Sequence, residues 1–170
     1  PTGTDGLVDG PAQNEAMIQL PISDQEVTTL EDALTAYCAE EQVENFGRRM
    51  ITFSRLPDTL TIVLKRFDYD NYGAHKIFRP IEVPNQFEMP QACLHPALAG
   101  EHIRYNLKSF VEHQGGFGGG HYVTYAEDEE EGWFKNDDLD TGPRKVQEQE
   151  LERKKNTSYL YVFTKVEDEN

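Results

Sequence analysis

The sequence predicts an α+β domain: a mostly antiparallel sheet with few helices. Three observations predict it. Short runs rich in apolar and β-branched residues recur along the chain, separated by Gly, Pro, Asn and Asp. The connections between them are short, which favours antiparallel neighbours, and a single segment carries a clear helix start. At 170 residues and 37% hydrophobic, the chain is long enough to bury a core, and one domain over residues 16–165 is expected. Residues 1–15 read as a flexible or vector-derived lead, and residues 166–170 as a polar tail that frays.

Taken in order, residues 16–22 alternate well enough to be a strand. Thr28 or Thr29 then caps a helix whose first turn holds Glu31 and Asp32, and that helix ends before Gly47. Residues 50–53 and 59–67 are β-rich. The second run is nearly continuously apolar, as suits a central strand covered on both faces. Residues 68–73 read as a turn, residues 76–84 as an extended edge broken by prolines, and residues 87–100 as a loop with at most a short helix. Strands are expected over residues 105–113 and 159–165. A short helical or turn segment is expected over residues 143–151.

Thirty-one acidic against 16 basic side chains give a formal charge of −15 and a pI near 4.6. Nucleic acid and anionic membrane are poor partners for such a surface, whereas a basic protein or peptide suits it. Two cysteines, Cys38 and Cys93, make no disulfide framework and indicate a reducing compartment. There is no 18-residue apolar run.

Chemistry concentrates in one hairpin. Gly118, Gly119, Gly120 and His121 open a strand, residues 127–131 form an acidic tip, and Trp133 to Asp138 return. A tip centred near Glu129 sets His121 opposite Asp137, where a carboxylate can hold an imidazole in one tautomer and leave its other nitrogen free as a base. A one-residue slip would bring Asp138 instead. The remaining histidines, His75, His95 and His102, show no acid at a useful spacing, and His113 reads as structural. No convincing nucleophile accompanies the pair. Cys38 falls late in a helix among Glu40, Glu41 and Glu44, and Cys93 in a Pro-flanked loop, so neither has the cationic setting a thiolate needs.

The order and spacing of four motifs extend this reading. Leu56-Pro57 through Leu64-Lys65-Arg66-Phe67, Tyr105-Asn106-Leu107 through His113-Gln114-Gly115, Gly120-His121-Tyr122 with Trp133 to Asp137, and Tyr159-Leu160-Tyr161-Val162-Phe163 resemble the C-terminal, palm and fingers half of the ubiquitin-specific proteases, papain-like cysteine deubiquitinases. The resemblance runs from about Met17 to Phe163. It implies hydrolysis of ubiquitin isopeptide or C-terminal peptide bonds, with His121 as base and Asp137 as the orienting acid. It also implies that Gly115, Gly116, Gly119, Gly120 and Tyr122 border a channel for the ubiquitin tail. Asn136 stands where the family usually has Phe.

The family's Cys box has no counterpart here, so the nucleophile is expected in an N-terminal thumb segment outside this chain. Without it the chain alone should be inactive. No Cys-x-x-Cys pair matches the family's zinc knuckle, and neither a metal nor a cofactor is expected. Ubiquitin or ubiquitinated proteins are the partners implied, in the cytoplasm or nucleus. A catalytically inactive relative that binds ubiquitin or serves as a scaffold is the alternative.

Overall fold

Alternation writes the main sheet. A computed structural model describes residues 9–11, 13 and 17–167, so most of the lead expected over residues 1–15, residue 16 and the tail beyond residue 167 lie outside the described residues. In chain order the elements are β1 (Met17–Pro21), α1 (Leu30–Cys38), β2 (Glu41–Val43), β3 (Gly47–Arg49), β4 (Thr59–Lys65), β5 (Phe67–Asp70), β6 (Gly73–Lys76), β7 (Gln86–Glu88), β8 (Arg104–Gln114), β9 (His121–Asp128), β10 (Gly132–Asp137), β11 (Arg144–Lys145), α2 (Glu148–Thr157) and β12 (Leu160–Lys165). The large sheet runs β1-β4-β12-β8-β9-β10-β11, with β7 added beside β8. Ile18 and Leu20, Leu60, Ile62 and Leu64, and Tyr161 and Phe163 all point to one buried face. Each fully buried apolar side chain of this size contributes about 1.5–3 kcal/mol.

Helix α1 closes that face. Leu30, Ala33, Leu34 and Cys38 recur at helical spacing and are buried. Thr29 caps it: its hydroxyl accepts the Asp32 N–H at 3.0 Å, while the Asp32 carboxylate accepts the Thr29 N–H at 3.1 Å. Arg66, buried just past β4, donates to the carbonyls of Ser158, Ile77, Arg79 and Asn156 at 2.7–3.1 Å. One guanidinium thereby ties β4 to the end of α2 and to the extended segment after β6.

Several expectations are corrected. Strand β1 pairs with β4 in parallel, because the long crossover through α1 allows it. Strand β4 is covered on one face: Leu60, Ile62 and Leu64 are buried, Thr61 and Val63 half-buried. Residues 50–53 form no strand, and Phe53 makes a single bridge to Leu94. Residues 68–73 lie in the hairpin β5–β6 rather than in a turn alone, and Glu41–Val43 with Gly47–Arg49 form a second hairpin. The segment expected as a short helix or turn over residues 143–151 becomes a β11 bridge followed by the ten-residue α2.

Candidate active site

His121 begins β9 and Asp137 ends β10, so both stand at the open end of one hairpin. The ladder pairs Gly132 with Asp128 and Asp137 with Val123, placing the tip's centre at Glu130 rather than Glu129. His121 is thus two residues out of register from Asp137, not opposite it. An even offset keeps both on the same face, and the diagonal is short enough for side chains to meet. His121 Nε2 lies 2.5 Å from Asp137 Oδ1. Neither Asp138 nor Asn136 makes this contact: Asn136 is the cross-strand partner of Thr124, on the opposite face, and Asp138 is exposed.

Asp137 is itself held. Its Oδ1 also accepts the Leu139 N–H at 3.0 Å, and its side chain is 11% exposed. The Leu139 amide first, and then the His121 ring, hold the Asp137 carboxyl below the usual carboxylate range. With Nε2 engaged by Asp137, Nδ1 is the ring nitrogen outside this contact.

Three of the other four histidines do face acids, which the sequence reading missed. His75 lies 3.5 Å from Asp70, His95 3.1 Å from Asp9 and His102 3.1 Å from Glu88. In each of these pairs the acid is exposed to solvent, a setting in which ion pairs hold side chains weakly.

A glycine loop leads into His121, and it is folded against itself. A Cβ on Gly115 would lie 3.1 Å from the Gly119 carbonyl oxygen and from Gly120 Cα, while one on Gly120 would collide with the Gln114 carbonyl and the His113 ring. At Gly116 and Gly119 a Cβ meets open space. Tyr122, more than half exposed, sets its ring 4.9 Å from that of His113 and 6.0 Å from Tyr159. Phe117 at the loop's crest packs on Phe67 and Tyr69 of β5. No local signal ties these aromatics to the loop, since they are about 50 residues apart in sequence.

Both thiols are buried: Cys38 ends α1, and Cys93 donates to the Leu34 carbonyl at 3.3 Å. The neighbouring Cys93 and burial push the Cys38 thiol up. Among the described residues no group of three His, Cys, Asp or Glu side chains is arranged to hold a metal.

The ubiquitin carboxyl-terminal hydrolase profile matches residues 13–163, nearly the whole chain, and places the His121 and Asp137 strands within the matched region. The chain belongs to the ubiquitin carboxyl-terminal hydrolase family. It is 34% identical over 104 residues to ubiquitin carboxyl-terminal hydrolase 15 of Bos taurus, a match covering 60% of this chain and 11% of that protein. With ubiquitin carboxyl-terminal hydrolase 10-B of Xenopus laevis the identity is 29% over 169 residues, covering 88% of this chain and 21% of the relative.

A chain of the SAGA Ubp8/Sgf11/Sus1/Sgf73 DUB module bound to ubiquitin aldehyde shares the fold, with a TM-score of 0.77 at 23% identity over 90% of this chain and 36% of its own. A further structure of that module gives a TM-score of 0.73 at 26% identity, over 90% of this chain and 33% of its own. This member of the hydrolase family therefore spans 11–21% of these curated relatives and 33–36% of these structural ones. The α+β, mostly antiparallel palm-and-fingers architecture is that of a ubiquitin-specific protease domain.

Proposed function

We propose that this chain supplies the general base and its orienting acid to a ubiquitin-directed thiol protease, with the nucleophilic Cys contributed by a thumb segment outside it. The observation that carries the reading is the 2.5 Å contact from His121 Nε2 to Asp137 Oδ1, which leaves Nδ1 free. The buried state of Cys38 and Cys93 supports looking elsewhere for the thiol.

In the proposed reaction Nδ1 of His121 takes the proton of the thiol, and the thiolate attacks the carbonyl carbon of ubiquitin's last residue. As the C–N bond breaks, the same nitrogen returns the proton to the departing amine, leaving a thioester. His121 then takes one proton from water, whose oxygen adds to the thioester carbonyl; the C–S bond breaks, the imidazolium returns that proton to the departing thiolate, and ubiquitin's carboxylic acid gives its own proton to solvent. Asp137 holds the ring in the tautomer that keeps Nδ1 available and stabilises the imidazolium between steps. Gly115, Gly116, Gly119, Gly120 and Tyr122 are proposed to border the path of the ubiquitin tail. The basic tail suits a chain of charge −15.

An intact base pair favours catalysis over a binding or scaffold role, which has no need of it. A cytoplasmic or nuclear site of action accompanies this reading. A ubiquitin bearing a thiol-reactive group at its C-terminus tests it. A longer polypeptide containing this chain and the thiol should be labelled, and His121→Ala should suppress labelling; unimpaired labelling of His121→Ala would sink the proposal.

A further inference from the structure

Lys76, the last residue of β6, is far from His121 in sequence, yet its ammonium is bound to the strand that fixes where His121 stands. The Nζ lies 2.5 Å from the His113 carbonyl oxygen, 2.9 Å from the Gly115 carbonyl oxygen and 3.2 Å from His113 Nδ1. An ammonium has three N–H donors, and three acceptors surround this one. The two carbonyls flank Gln114, and Gln114 is the residue paired with His121 across β8 and β9.

The third acceptor extends the grip into the loop. If the Lys76 ammonium donates to Nδ1, the neutral His113 ring carries its proton on Nε2, the nitrogen turned toward Gly120. His113 is buried, and its ring occupies the space that a side chain on Gly120 would need. From β6, then, one chain of contacts runs through the end of β8 and both ends of the glycine loop to the residue before His121.

We propose that Lys76, acting through Gln114 and the His113 ring, is a positioning residue for His121. It sets the end of β8 and the loop so that the first residue of β9 presents its ring to Asp137. The alternative it must be distinguished from is a lysine that merely stabilises the hairpin. The proposal rests on the reading of His121 as the base, but it concerns where the ring stands rather than what it catalyses.

The test is ¹⁵N NMR of the imidazoles in the 170-residue chain, wild type against Lys76→Met and Lys76→Arg, near neutral pH. In the wild type His113 should show the tautomer protonated at Nε2, and His121 a fixed, hydrogen-bonded Nε2. Lys76→Met should keep the cooperative thermal transition yet shift the His121 signals toward those of a free ring averaging its tautomers. Lys76→Arg, which keeps the charge and donors, should restore part of the shift.

His121 signals unchanged in a folded Lys76→Met chain overturn the proposal. So does a wild-type His113 protonated at Nδ1, a result that decides the matter even if the methionine variant does not fold. Failure of catalysis in the assembled enzyme would instead strike the functional reading and leave these ring signals as they are.

Discussion

His121 and Asp137 touch although they are not partners in the ladder: Asp137 faces Val123, and His121 stands two residues beyond. Moving a hairpin's centre by one residue moves each pairing by two, so the face on which a side chain stands is conserved while its direct partner changes. This parity explains why Asp137, and not its neighbour Asp138, reaches the ring.

In a polypeptide joining this chain to the proposed thumb, replacing Asp137 by Asn should lower kcat by roughly 10²- to 10⁴-fold if the carboxylate is the proposed orienting charge. Asp138→Asn should leave kcat near the wild-type value. Steady-state hydrolysis of a ubiquitin C-terminal fluorogenic amide measures both. Equal losses from the two substitutions would contradict the assignment.

The 170-residue chain alone should not hydrolyse that amide, because its two thiols are buried in the core. Cys38 and Cys93 should resist a disulfide-exchange reagent in native buffer and react once denaturant is added. Rapid native labelling together with turnover lost in Cys38→Ala or Cys93→Ala would overturn this account of the nucleophile.

Glycines of one loop should differ in their tolerance of a methyl group. Gly120→Ala forces a Cβ into the Gln114 carbonyl and the His113 ring and should destabilise the chain by about 1–3 kcal/mol. Gly116→Ala and Gly119→Ala place theirs in open space and should stay within about 0.5 kcal/mol of wild type. Urea denaturation of the three variants provides the comparison, and a uniform cost across them would be inconsistent with the packing described.

Acidification should weaken the fold through His113. Burial first, and then the Lys76 charge, depress its pKa below the ordinary 6.5, so between that value and the depressed one the unfolded chain binds more protons than the folded chain. Stability then falls as pH drops through this window. Asp137 is also depressed, below 3.8, so its contribution is present above that value and is lost at still lower pH, as the carboxylate takes up its proton. Thermal melts from pH 7.5 to pH 5 should fall more steeply for wild type than for His113→Gln. Parallel profiles would show that His113 carries no such linkage.

What could be read from the sequence follows what burial writes into it. Strands β1, β4, β8 and β12 were legible because alternating residues meet the core, and α1 because its Thr29–Asp32 cap and its 30, 33, 34, 38 stripe coincide. Hairpin β2–β3 was not, since its residues are almost all exposed and its pairing leaves no apolar period. Helix α2 buries little but Leu151 and Lys155, so its helical stripe is faint. In the site, the face shared by His121 and Asp137 was legible and their exact diagonal was not. The ion pairs of His75, His95 and His102 and the grip of Lys76 on β8 depend on tertiary placement.

The most direct test of the central claim is the pre-steady-state rate of ubiquitin-amide cleavage by a polypeptide that joins this chain to the proposed thiol-bearing thumb, compared with His121→Ala and Asp137→Asn at equal ubiquitin affinity. The account predicts acylation slowed by at least about 10²-fold in His121→Ala and by a comparable or smaller factor in Asp137→Asn, with binding unchanged. Acylation at the wild-type rate in His121→Ala would show that the base lies elsewhere.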